Sequence, residues 1–469
     1  MQTDNPLTWD ADLIKRYDLA GPRYTSYPTA LHFKEDFTEA ELQAAIARGN
    51  RAQRPLSLYI HIPFCDTVCY YCACNKVITA NKKRARPYLD SLYREMAAVA
   101  PHIDPGRQVE QLHWGGGTPT FISDFEKREL MAKTRDLFAL RRDDKGEYSI
   151  EVHPGNMHVD TIGLLREIGF NRLSMGIQDF DPEVQKAVNR YNSVEEVAEL
   201  VARTRAEGFH SLSMDLIYGL PKQSLASISN TVEHVIELAP DRLSVFNYAH
   251  LPEMFKTQRQ IDASTLPRPG EKLLMLEYLI KRLTAAGYVY IGMDHFAKPE
   301  DELASAQRQG KLQRNFQGYS LHGDCDLFAF GVSAISAIDN VFVQNHKSLA
   351  AYQQALPPST APTSPPPLPL ARGLILSDDD RLRQHVIREL ICQFKLDFKS
   401  VEQHFNINFS HYFSTELQAL EPLAADGLLS LSPDAIAVTA CGRLLIRRIC
   451  MVFDAYLNPS AEVRYTRII

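Results

Sequence analysis

Four of the eight cysteines fall within ten residues, in the pattern Cys65-x3-Cys69-x2-Cys72-x-Cys74. They follow directly after an apolar, strand-like run at residues 57–64. Thiolates at this uneven spacing can bind three irons of a [4Fe-4S] cluster through Cys65, Cys69 and Cys72, which leaves the fourth iron open for a small-molecule chelate. The spacing therefore predicts a reaction site beside an open iron.

Zinc is the main alternative, because Cys-x2-Cys pairs in general bind zinc more often than iron. A structural zinc site usually takes two ligand pairs separated by a longer stretch, and no second Cys-x2-Cys or His-x3-His pair follows. The iron-sulfur interpretation is therefore favoured. Cys74, two residues after Cys72, is not expected to be the fourth cluster ligand.

Further candidate site residues are a glycine segment and two acids. Gly115-Gly116-Gly117-Thr118 follows a strand-like run, and glycine lets backbone N–H and C=O groups approach a zwitterionic ligand closely, although three glycines also fit a tight turn. Glu151 and Asp215 each close a predicted strand, where a carboxylate can accept hydrogen bonds from ribose hydroxyls or an ammonium group. A surface acid or a helix cap is the alternative for each. No GxGxxG fingerprint or P-loop is present.

The elements that must position these residues alternate between short β-branched runs and longer helical patterns, the order typical of a parallel sheet with crossover helices. Strands are predicted at residues 58–62, 111–114, 149–152, 172–176, 213–218, 242–247 and 289–293. Helices are predicted at residues 85–99, 125–138, 161–168, 194–207, 225–238 and 271–286. The pattern indicates an α/β fold, a partial (β/α)6 TIM-like barrel. Its chemistry belongs at the carboxyl ends of the strands, where we expect the cysteine loop, the glycine segment, Glu151, Gln178, Asp215 and Tyr248.

The chain divides into four predicted segments. These are an N-terminal substrate-side extension (1–56), the barrel with its extension (57–355), a proline-rich linker or loop (356–372) and a smaller, mainly helical C-terminal domain (373–469). The last segment is winged-helix-like, with helices predicted at 378–394, 413–426 and 440–453 and strands at 429–431 and 436–438. Such modules often bind DNA, but the missing basic surface favours a lid or packing domain.

Composition limits the possible partners. The chain has 469 residues, 45% hydrophobic and 23% charged, with a net charge of −6 and no long block of like charge, so neither nucleic acid nor an anionic membrane is favoured. No run of 18 apolar residues or signal-like N-terminus occurs, and we expect a cytoplasmic monomer. A reducing compartment suits the cysteine loop and the scattered Cys325, Cys392, Cys441 and Cys450.

The cysteine loop after a first barrel strand, with the aromatic Tyr71 just before the third cysteine, resembles the signature of the radical S-adenosylmethionine (SAM) superfamily. The resemblance implies that the amino and carboxylate groups of SAM chelate the open iron. It also implies a 5′-deoxyadenosyl radical that abstracts a hydrogen atom, while the protein positions and shields it. The glycine segment then resembles the superfamily's segment for the SAM amino group.

A closer resemblance, through nearly the whole chain, is to the oxygen-independent coproporphyrinogen III oxidase family. It rests on motifs at residues 22–29, 59–65, 173–180, 215–221, 247–250 and 314–319. The resemblance implies an oxidoreductase of haem biosynthesis that decarboxylates the ring A and ring B propionates of coproporphyrinogen III to vinyls, giving protoporphyrinogen IX. It further implies two bound SAM molecules, an electron donor for the cluster and an electron acceptor.

Matching motif positions assign roles to single residues. The three cysteines would be the cluster ligands and, with Tyr59, the catalytic residues. The first SAM would contact Tyr59, Gly116, Glu151 and Ile335. The second would contact Tyr71, Gly117, Thr118, Gln178, Arg190, Asp215 and Ala249. The substrate's propionates would meet Arg23, Tyr24 and Arg314.

Three departures from the family pattern are visible. His153 stands where members carry an aspartate, Ala73 replaces a usual glycine, and the stretch 357–369 is expanded. None removes a cluster ligand.

Two other functions stay open at this point. A related haem chaperone, which binds and transfers haem, shares the barrel and the cluster loop, but Cys74 and the motif at 22–29 favour the oxidase. A zinc-stabilised module that binds DNA through the C-terminal region is the second, and metal content distinguishes it from the oxidase.

Overall fold

The computed structural model describes residues 7–357, 367–457 and 467. The chain forms two compact units, the first made of Met1–His32, Leu276–Gly323 and Leu376–Ile469 and the second of Phe33–Met275 and Asp324–Ile375. The four-segment division predicted from the sequence stays a prediction. Most of the proline-rich stretch, residues 358–366, lies outside the described residues.

The strands are β1 (Leu56–Ile62), β2 (Phe64–Cys65), β3 (Val77–Ile78), β4 (Gln108–Gly116), β5 (Ala139–Leu140), β6 (Glu147–Val152), β7 (Arg172–Gln178), β8 (Ser211–Tyr218), β9 (Arg242–Asn247), β10 (Val289–Gly292), β11 (His295–Ala297), β12 (Gln313–Asn315), β13 (Gly318–Ser320), β14 (Asp326–Phe330), β15 (Ile335–Ile338), β16 (Val341–Asn345), β17 (Leu370–Ile375), β18 (Lys395–Asp397), β19 (Leu429–Leu431) and β20 (Ala435–Val438). The helices are α1 (Ala11–Tyr17), α2 (Glu39–Arg51), α3 (Ala85–Val99), α4 (Asp124–Leu137), α5 (Asp160–Ile168), α6 (Pro182–Val188), α7 (Val194–Ala206), α8 (Leu225–Leu238), α9 (Pro269–Ala285), α10 (Glu302–Arg308), α11 (Leu349–Ala355), α12 (Asp378–Gln393), α13 (Phe398–Phe405), α14 (Phe409–Tyr412), α15 (Ser414–Ala425) and α16 (Ile446–Cys450).

The second unit is built on one mixed sheet, in which neighbouring strands follow the order β9-β8-β7-β6-β4-β1-β14-β15-β16-β17. The strands from β9 to β14 pair in parallel, and the later ones pair antiparallel. Six of the parallel strands, β1, β4, β6, β7, β8 and β9, lie in chain order with helices between them. The α/β prediction with a partial (β/α)6 architecture is therefore confirmed.

Local sequence signals explain where the crossover helices begin and end. Ser123, Ser193 and Ser224 each cap a helix N-terminus in a capping box, which satisfies backbone N–H groups that have no partner within the helix. Helix α5 ends at Gly169, whose φ of 112° lies in the left-handed region that glycine adopts at little cost. Because the strands between these helices pair in parallel, their carboxyl ends lie at one edge of the sheet.

The first unit contains the strand predicted at residues 289–293, but this strand does not extend the parallel barrel. It pairs antiparallel with β11, because Gly292 and Met293 have φ values of 142° and 53° and reverse the chain between the two strands. The same unit contains the β12–β13 hairpin, a β18-β20-β19 sheet and helices α12 to α16.

The C-terminal domain is mainly helical, as predicted, with one correction. The helix predicted over residues 440–453 begins only at Ile446 and ends at Cys450. Thr439 Oγ1 accepts a hydrogen bond from the Gly442 N–H at 3.1 Å, and a Cβ at Gly442 would lie 1.8 Å from the Leu428 carbonyl oxygen. This close approach holds the preceding residues in a turn. The winged-helix likeness stays a prediction.

Among the residues that the structure describes, no helix is long and apolar enough to cross a bilayer.

Candidate active site

The cysteine loop leaves the carboxyl end of β1. Its two ends are held together because β2 pairs in parallel with β3, with Cys65 opposite Ile78. Cys65, Cys69 and Cys72 are partly exposed and Cys74 is exposed. None of these four residues is fully buried, and the backbone that carries them is fixed at both ends.

Contacts from distant segments hold the middle of the loop. The Asn189 side chain donates to the Val68 carbonyl at 2.7 Å, and the Tyr70 N–H donates to the Val188 carbonyl at 2.9 Å. Tyr70 and Tyr71 also pack against an apolar cluster formed by Val184, Val188, Ile217, Leu220, Tyr248 and Ile261. The loop is therefore anchored on the ends of neighbouring strands and helices.

The segment after β9 makes a second set of contacts. Gln258 Nε2 donates to the carbonyls of Tyr71 at 3.0 Å and Ala249 at 3.2 Å, and Thr257 Oγ1 donates to the Cys72 carbonyl at 3.0 Å. Ala249, predicted to contact the second SAM, is thereby linked to the cysteine loop. No sequence motif marked Thr257 or Gln258, because both act through backbone carbonyls.

The cysteine thiols lie close enough to affect each other's ionisation. Burial raises the pKa of Cys65 to about 11, a hydrogen bond from Thr118 at 3.5 Å opposes the rise, and the neighbouring Cys72 and Cys69 add to it. A hydrogen bond from Cys74 lowers the pKa of Cys72, and the ammonium group of Lys76 contributes. The Lys76 ammonium also donates to the Cys72 carbonyl at 2.9 Å.

This donor set fits a three-cysteine cluster. The three thiols share one loop and one electrostatic environment, and a cluster binds each to a different iron, so they need not converge on one point. In the described part of the chain, no three His, Cys, Asp or Glu side chains are grouped closely enough to hold a metal ion.

One group of predicted SAM contacts lies across β1, β4 and β6. The Tyr59 ring stacks on His113 with centroids 5.8 Å apart, and His113 Nε2 contacts Glu151 Oε1 at 3.1 Å. Desolvation alone would raise the pKa of Glu151, but hydrogen bonds from His113 and the Gly116 N–H outweigh it and lower the pKa. Glu151 is therefore held as a carboxylate, the form that accepts hydrogen bonds from hydroxyl or ammonium groups.

His113 was not predicted as a site residue. It lies two positions before Gly115 on the same strand, so the two-residue period of a strand places both on one face. That period is the signal that could have identified it.

The glycine segment joins the cysteine loop to β4. The Gly117 N–H donates to the Ile62 carbonyl and the Thr118 N–H donates to the Phe64 carbonyl, both at 2.8 Å. These N–H groups are therefore already used in hydrogen bonds within the protein. An ammonium group is a donor only, so the backbone carbonyl oxygens remain the groups suited to receive the SAM amino group.

A second group of predicted SAM contacts lies at the ends of β7 and β8. The buried Arg190 guanidinium donates to the Gly176 carbonyl through Nε at 3.1 Å and through Nη2, and Nη1 contacts Cys69 Sγ at 3.6 Å. Gln178 has a φ of 69°, where the pairing register shifts, and a Cβ at Gly176 would lie 2.7 Å from both Gln178 Nε2 and Arg190 Nη2. The structure therefore brings Gln178, Arg190 and Cys69 together.

Asp215 lies opposite Gly176 in the β7–β8 register. The sequence led us to expect that Asp215 ends its strand. This expectation is wrong, because β8 continues to Tyr218. Burial raises the pKa of Asp215 to about 7, against a hydrogen bond with Ser244, so protonated and ionised forms coexist near neutral pH.

Two further positions remain, the predicted SAM contact Ile335 and the unusual residue His153. Ile335 begins β15 and lies opposite Gln344 in the neighbouring strand. His153 is buried, and burial together with the charge of Arg190 lowers its pKa to about 3, so it is neutral. The imidazole of His153 therefore brings no charge to the surroundings of Arg190.

The three predicted substrate contacts lie in the first unit. Arg23 forms an ion pair with Asp294, and the buried Tyr24 donates from its hydroxyl to Asp454 Oδ2 at 2.9 Å. Arg314 lies over the Tyr319 ring, with its guanidinium carbon 4.8 Å from the centroid. Of the three, Arg314 has two buried nitrogens, Nε and Nη1, without a hydrogen-bond partner among the described residues.

Comparison with known proteins identifies the family. The model of the Radical SAM superfamily matches residues 59–235, and that of the HemN C-terminal domain matches residues 376–445. Oxygen-independent coproporphyrinogen III oxidase of Pseudomonas aeruginosa is 53% identical over 463 residues, covering 99% of both chains. The chain belongs to the oxygen-independent coproporphyrinogen III oxidase family.

Other members of this oxidase family agree. The Salmonella typhimurium relative is 50% identical over 468 residues, covering 100% of both chains. The solved structure of Escherichia coli coproporphyrinogen III oxidase (HemN), described as a radical SAM enzyme, is similar with a TM-score of 0.90 and 49% identity, covering 96% of this chain and 100% of that one.

Membership confirms three predictions. The protein is a radical SAM oxidoreductase, its cofactors are a [4Fe-4S] cluster and SAM, and its fold is that of the oxidase family. The residues assigned to each cofactor stay predictions. The relatives' oxidase names also favour an oxidase over a haem chaperone.

Proposed function

We propose that this chain catalyses the oxygen-independent oxidative decarboxylation of coproporphyrinogen III in haem biosynthesis. The ring A and ring B propionates become vinyl groups, and the product is protoporphyrinogen IX. The observation that carries the proposal is the 53% identity to a protein of that name over 99% of both chains.

The cysteine loop supplies the chemistry in this proposal. Cys65, Cys69 and Cys72 would ligate the cluster, and together with SAM the bound cluster supplies a radical that abstracts a hydrogen atom. Each propionate loses one hydrogen atom, CO2 and one electron when it becomes a vinyl group. The reaction therefore consumes one SAM and one donated electron per vinyl group and passes one electron to an acceptor.

Two clusters of side chains support two SAM positions. The first cluster lies across β1, β4 and β6 and contains Tyr59, Gly116 and Glu151. We assign these residues, together with Ile335, to the first SAM. Tyr59 would also act with the three cysteines in catalysis. We assign Tyr71, Gly117, Thr118, Gln178, Arg190, Asp215 and Ala249 to the second SAM. The contact of Arg190 with Cys69 and the approach of Gln178 to Arg190 support the second assignment.

We propose Arg314 as a contact for a substrate propionate, because two of its nitrogens are buried without a partner among the described residues. Arg23 and Tyr24 already have acidic partners within the first unit, and their role at the substrate stays a prediction. We also propose a cytoplasmic monomer, in which the free cysteines suit a reducing compartment.

An anaerobic assay tests the reaction. Reconstituted protein, a reductant, an electron acceptor and coproporphyrinogen III are mixed with one or two equivalents of SAM, and CO2 and porphyrinogen products are measured. We expect a monovinyl product to dominate at one equivalent and protoporphyrinogen IX at two. Protein that binds haem but releases no CO2 would instead support the chaperone.

A pair of cysteine variants tests the ligand assignment. Cys69→Ser should lose the brown chromophore, about four irons and four sulfides per chain, and SAM cleavage together. Cys325→Ser should retain all of them, because this partly exposed thiol lies outside the loop and burial raises its pKa, which keeps it protonated. Stoichiometric zinc in place of iron, or activity in Cys69→Ser, would contradict the assignment.

A further inference from the structure

The surface beside the cysteine loop carries an excess of positive charge. Residues 67–89 contain five lysine and arginine side chains and no aspartate or glutamate, although the whole chain has a net charge of −6. Three of the five, Lys82, Lys83 and Arg84, are consecutive and exposed, directly before α3 begins. The excess is therefore local, and it follows immediately after the predicted cluster ligands.

Only part of this charge is neutralised within the protein. Lys82 pairs with Asp66 at 2.9 Å, and Arg86 pairs with acidic residues on α3 and α4. A further exposed lysine lies beside the end of the loop, since Asn75 Nδ2 donates to the Lys347 carbonyl at 2.8 Å. We call the side chains that form no ion pair with a carboxylate among the described residues the basic patch, which consists of Lys76, Lys83, Arg84 and Lys347.

Hydrogen bonds fix the backbone that presents the patch. Asn81 Oδ1 accepts from the Lys83 N–H at 3.1 Å, and the Asn81 carbonyl accepts from the Arg84 N–H at 3.1 Å. Between these two residues, the Lys82 ammonium lies over the Phe121 ring, 3.8 Å from the centroid, and donates to the Phe121 carbonyl at 3.1 Å. The exposed cations are therefore carried by an ordered turn.

The patch is one hydrogen bond away from two predicted cluster ligands. The Thr79 N–H donates to the Cys65 carbonyl at 2.9 Å, and the Lys76 ammonium donates to the Cys72 carbonyl at 2.9 Å. Ile78, which lies opposite Cys65 in the β2–β3 register, is 39% exposed. A protein seated on the patch would therefore be separated from the ligand residues by few atoms.

We propose that the basic patch is the docking site of the electron donor, a protein with an acidic surface that carries single electrons. The inference rests on the proposed function, which consumes one donated electron per vinyl group. The carrier is oxidised by one electron, and SAM cleavage consumes that electron. Complementary charge steers two proteins together, and electron-transfer complexes are small, so a few exposed cations suffice.

The propionates of the substrate are the other source of negative charge. The exposed position of Lys83 and Arg84 favours a protein, because a substrate that reacts with a radical has to be enclosed away from water. The measurements below compare the two sources directly.

Binding of a carrier tests the docking without any reaction. The probe is a flavodoxin, an acidic one-electron carrier, which is labelled with a fluorophore and titrated in its oxidised form with reconstituted full-length protein. Fluorescence anisotropy gives the Kd. We expect Lys83→Glu combined with Arg84→Glu to raise the Kd about tenfold or more at low ionic strength. The difference should shrink as salt is added, because salt screens exposed charges.

The rate of SAM cleavage tests the electron transfer. With reduced flavodoxin at a concentration below its Kd, the initial rate should fall about tenfold in the charge-reversed double variant. With the methyl viologen radical, a small cationic reductant that needs no docking site, the rate should equal that of wild type. Coproporphyrin III, an oxidised analogue of the substrate, should bind both proteins equally.

Two control variants separate the patch from charge in general. Arg142→Glu combined with Lys145→Glu makes the same change in net charge at two exposed positions before β6, away from the carboxyl ends of the strands. Lys83→Arg combined with Arg84→Lys keeps both charges of the patch. Both control variants should bind flavodoxin as wild type does. If the charge-reversed variant does not fold, Lys83→Gln combined with Arg84→Gln replaces it.

Four results would overturn the proposal. These are an unchanged flavodoxin Kd at low ionic strength, an equal loss in the Arg142 and Lys145 control, an equal loss of rate with methyl viologen, or weaker binding of coproporphyrin III in place of flavodoxin. The last result would assign the patch to the substrate. Wild-type protein that cleaves SAM but releases no CO2 from coproporphyrinogen III would contradict the proposed function, while the binding of flavodoxin would still decide the docking site.

Discussion

At the residue scale, burial gives Asp215 a pH dependence that a titration can detect. The pKa of its carboxyl is about 7 in the folded protein against an ordinary value of 3.8, so between these values the folded state holds a proton that the unfolded state has lost. Asp215 therefore lowers stability as pH rises from 4 to 7, and its full cost is present above pH 7.

Replacing Asp215 by asparagine should remove this cost. We expect Asp215→Asn to be more stable than wild type by about 4 kcal/mol at pH 8, with the difference vanishing near pH 4. Urea unfolding of the cluster-free protein across this range measures it. Asp136→Asn, at an exposed position, is the control and should change the free energy of unfolding by less than about 0.5 kcal/mol. A variant whose difference from wild type is the same at both pH values would contradict the shift.

The sequence points to candidate site residues where their spacing or a family motif marks them, and the roles of these residues stay predictions. The cysteines, Glu151 and Arg190 were singled out by spacing or motif, and the structure places each beside other predicted residues. Gln258 could not be found this way, because it acts through backbone carbonyls, which no side-chain motif marks.

At the element scale, the close contact between the β4 loop and the β1 loop constrains Gly117. A Cβ at this position would lie 2.7 Å from the carbonyl oxygens of Pro63 and Phe64, and such backbone atoms cannot move aside as a side chain can. Gly117→Ala should therefore push the glycine segment away from the cysteine loop.

We expect Gly117→Ala to lower SAM affinity at least about tenfold and to reduce the iron content after reconstitution. Equilibrium binding of SAM and iron analysis measure the two effects. Gly270→Ala is the matched control, because a Cβ there meets nothing within 4 Å and the position lies in the first turn of α9. Normal SAM binding by Gly117→Ala would show that the two loops are not tightly coupled.

Local signals explain most of the elements that were predicted. The helices at Ala85–Val99 and Leu225–Leu238 have the predicted bounds, since their apolar period is clear in the sequence and Ser224 caps the second of them. The partner of Val289–Gly292 was not predictable in the same way. A strand's own residues do not determine whether its neighbour runs parallel or antiparallel, and here the turn at Met293 decides it.

At the scale of the whole second unit, a buried ion pair joins segments far apart in the chain. Arg107 Nη2 lies 2.5 Å from Asp326 Oδ2, and their side chains are 0% and 2% exposed. Asp326 also accepts from Arg54 at 3.3 Å and from the Asp339 N–H at 3.0 Å. The start of β4 and the start of β14 are thereby fixed on both sides of β1.

Breaking this pair should be costly, because Arg107 would remain buried without its carboxylate. We expect Asp326→Ala to lower the free energy of unfolding by about 3–5 kcal/mol. Glu167→Ala, which removes the exposed partner of Arg128, should lower the free energy of unfolding far less, because solvent screens this ion pair. Circular dichroism during urea unfolding measures both free energies. A loss of the same size in the two variants would contradict the prediction that the buried ion pair contributes more to stability than the exposed one.

The pairing of β1 with β14 also has a consequence for biosynthesis. The ribosome completes β1 and the cysteine loop early, but one side of β1 has no partner until Asp326–Phe330 has been translated. A nascent chain that stops earlier presents an unpaired strand edge directly before the cysteines, and such edges readily pair with other chains. We therefore expect iron and sulfide to be delivered after translation is finished, so that translational stalling before residue 326 yields aggregated chains without a cluster.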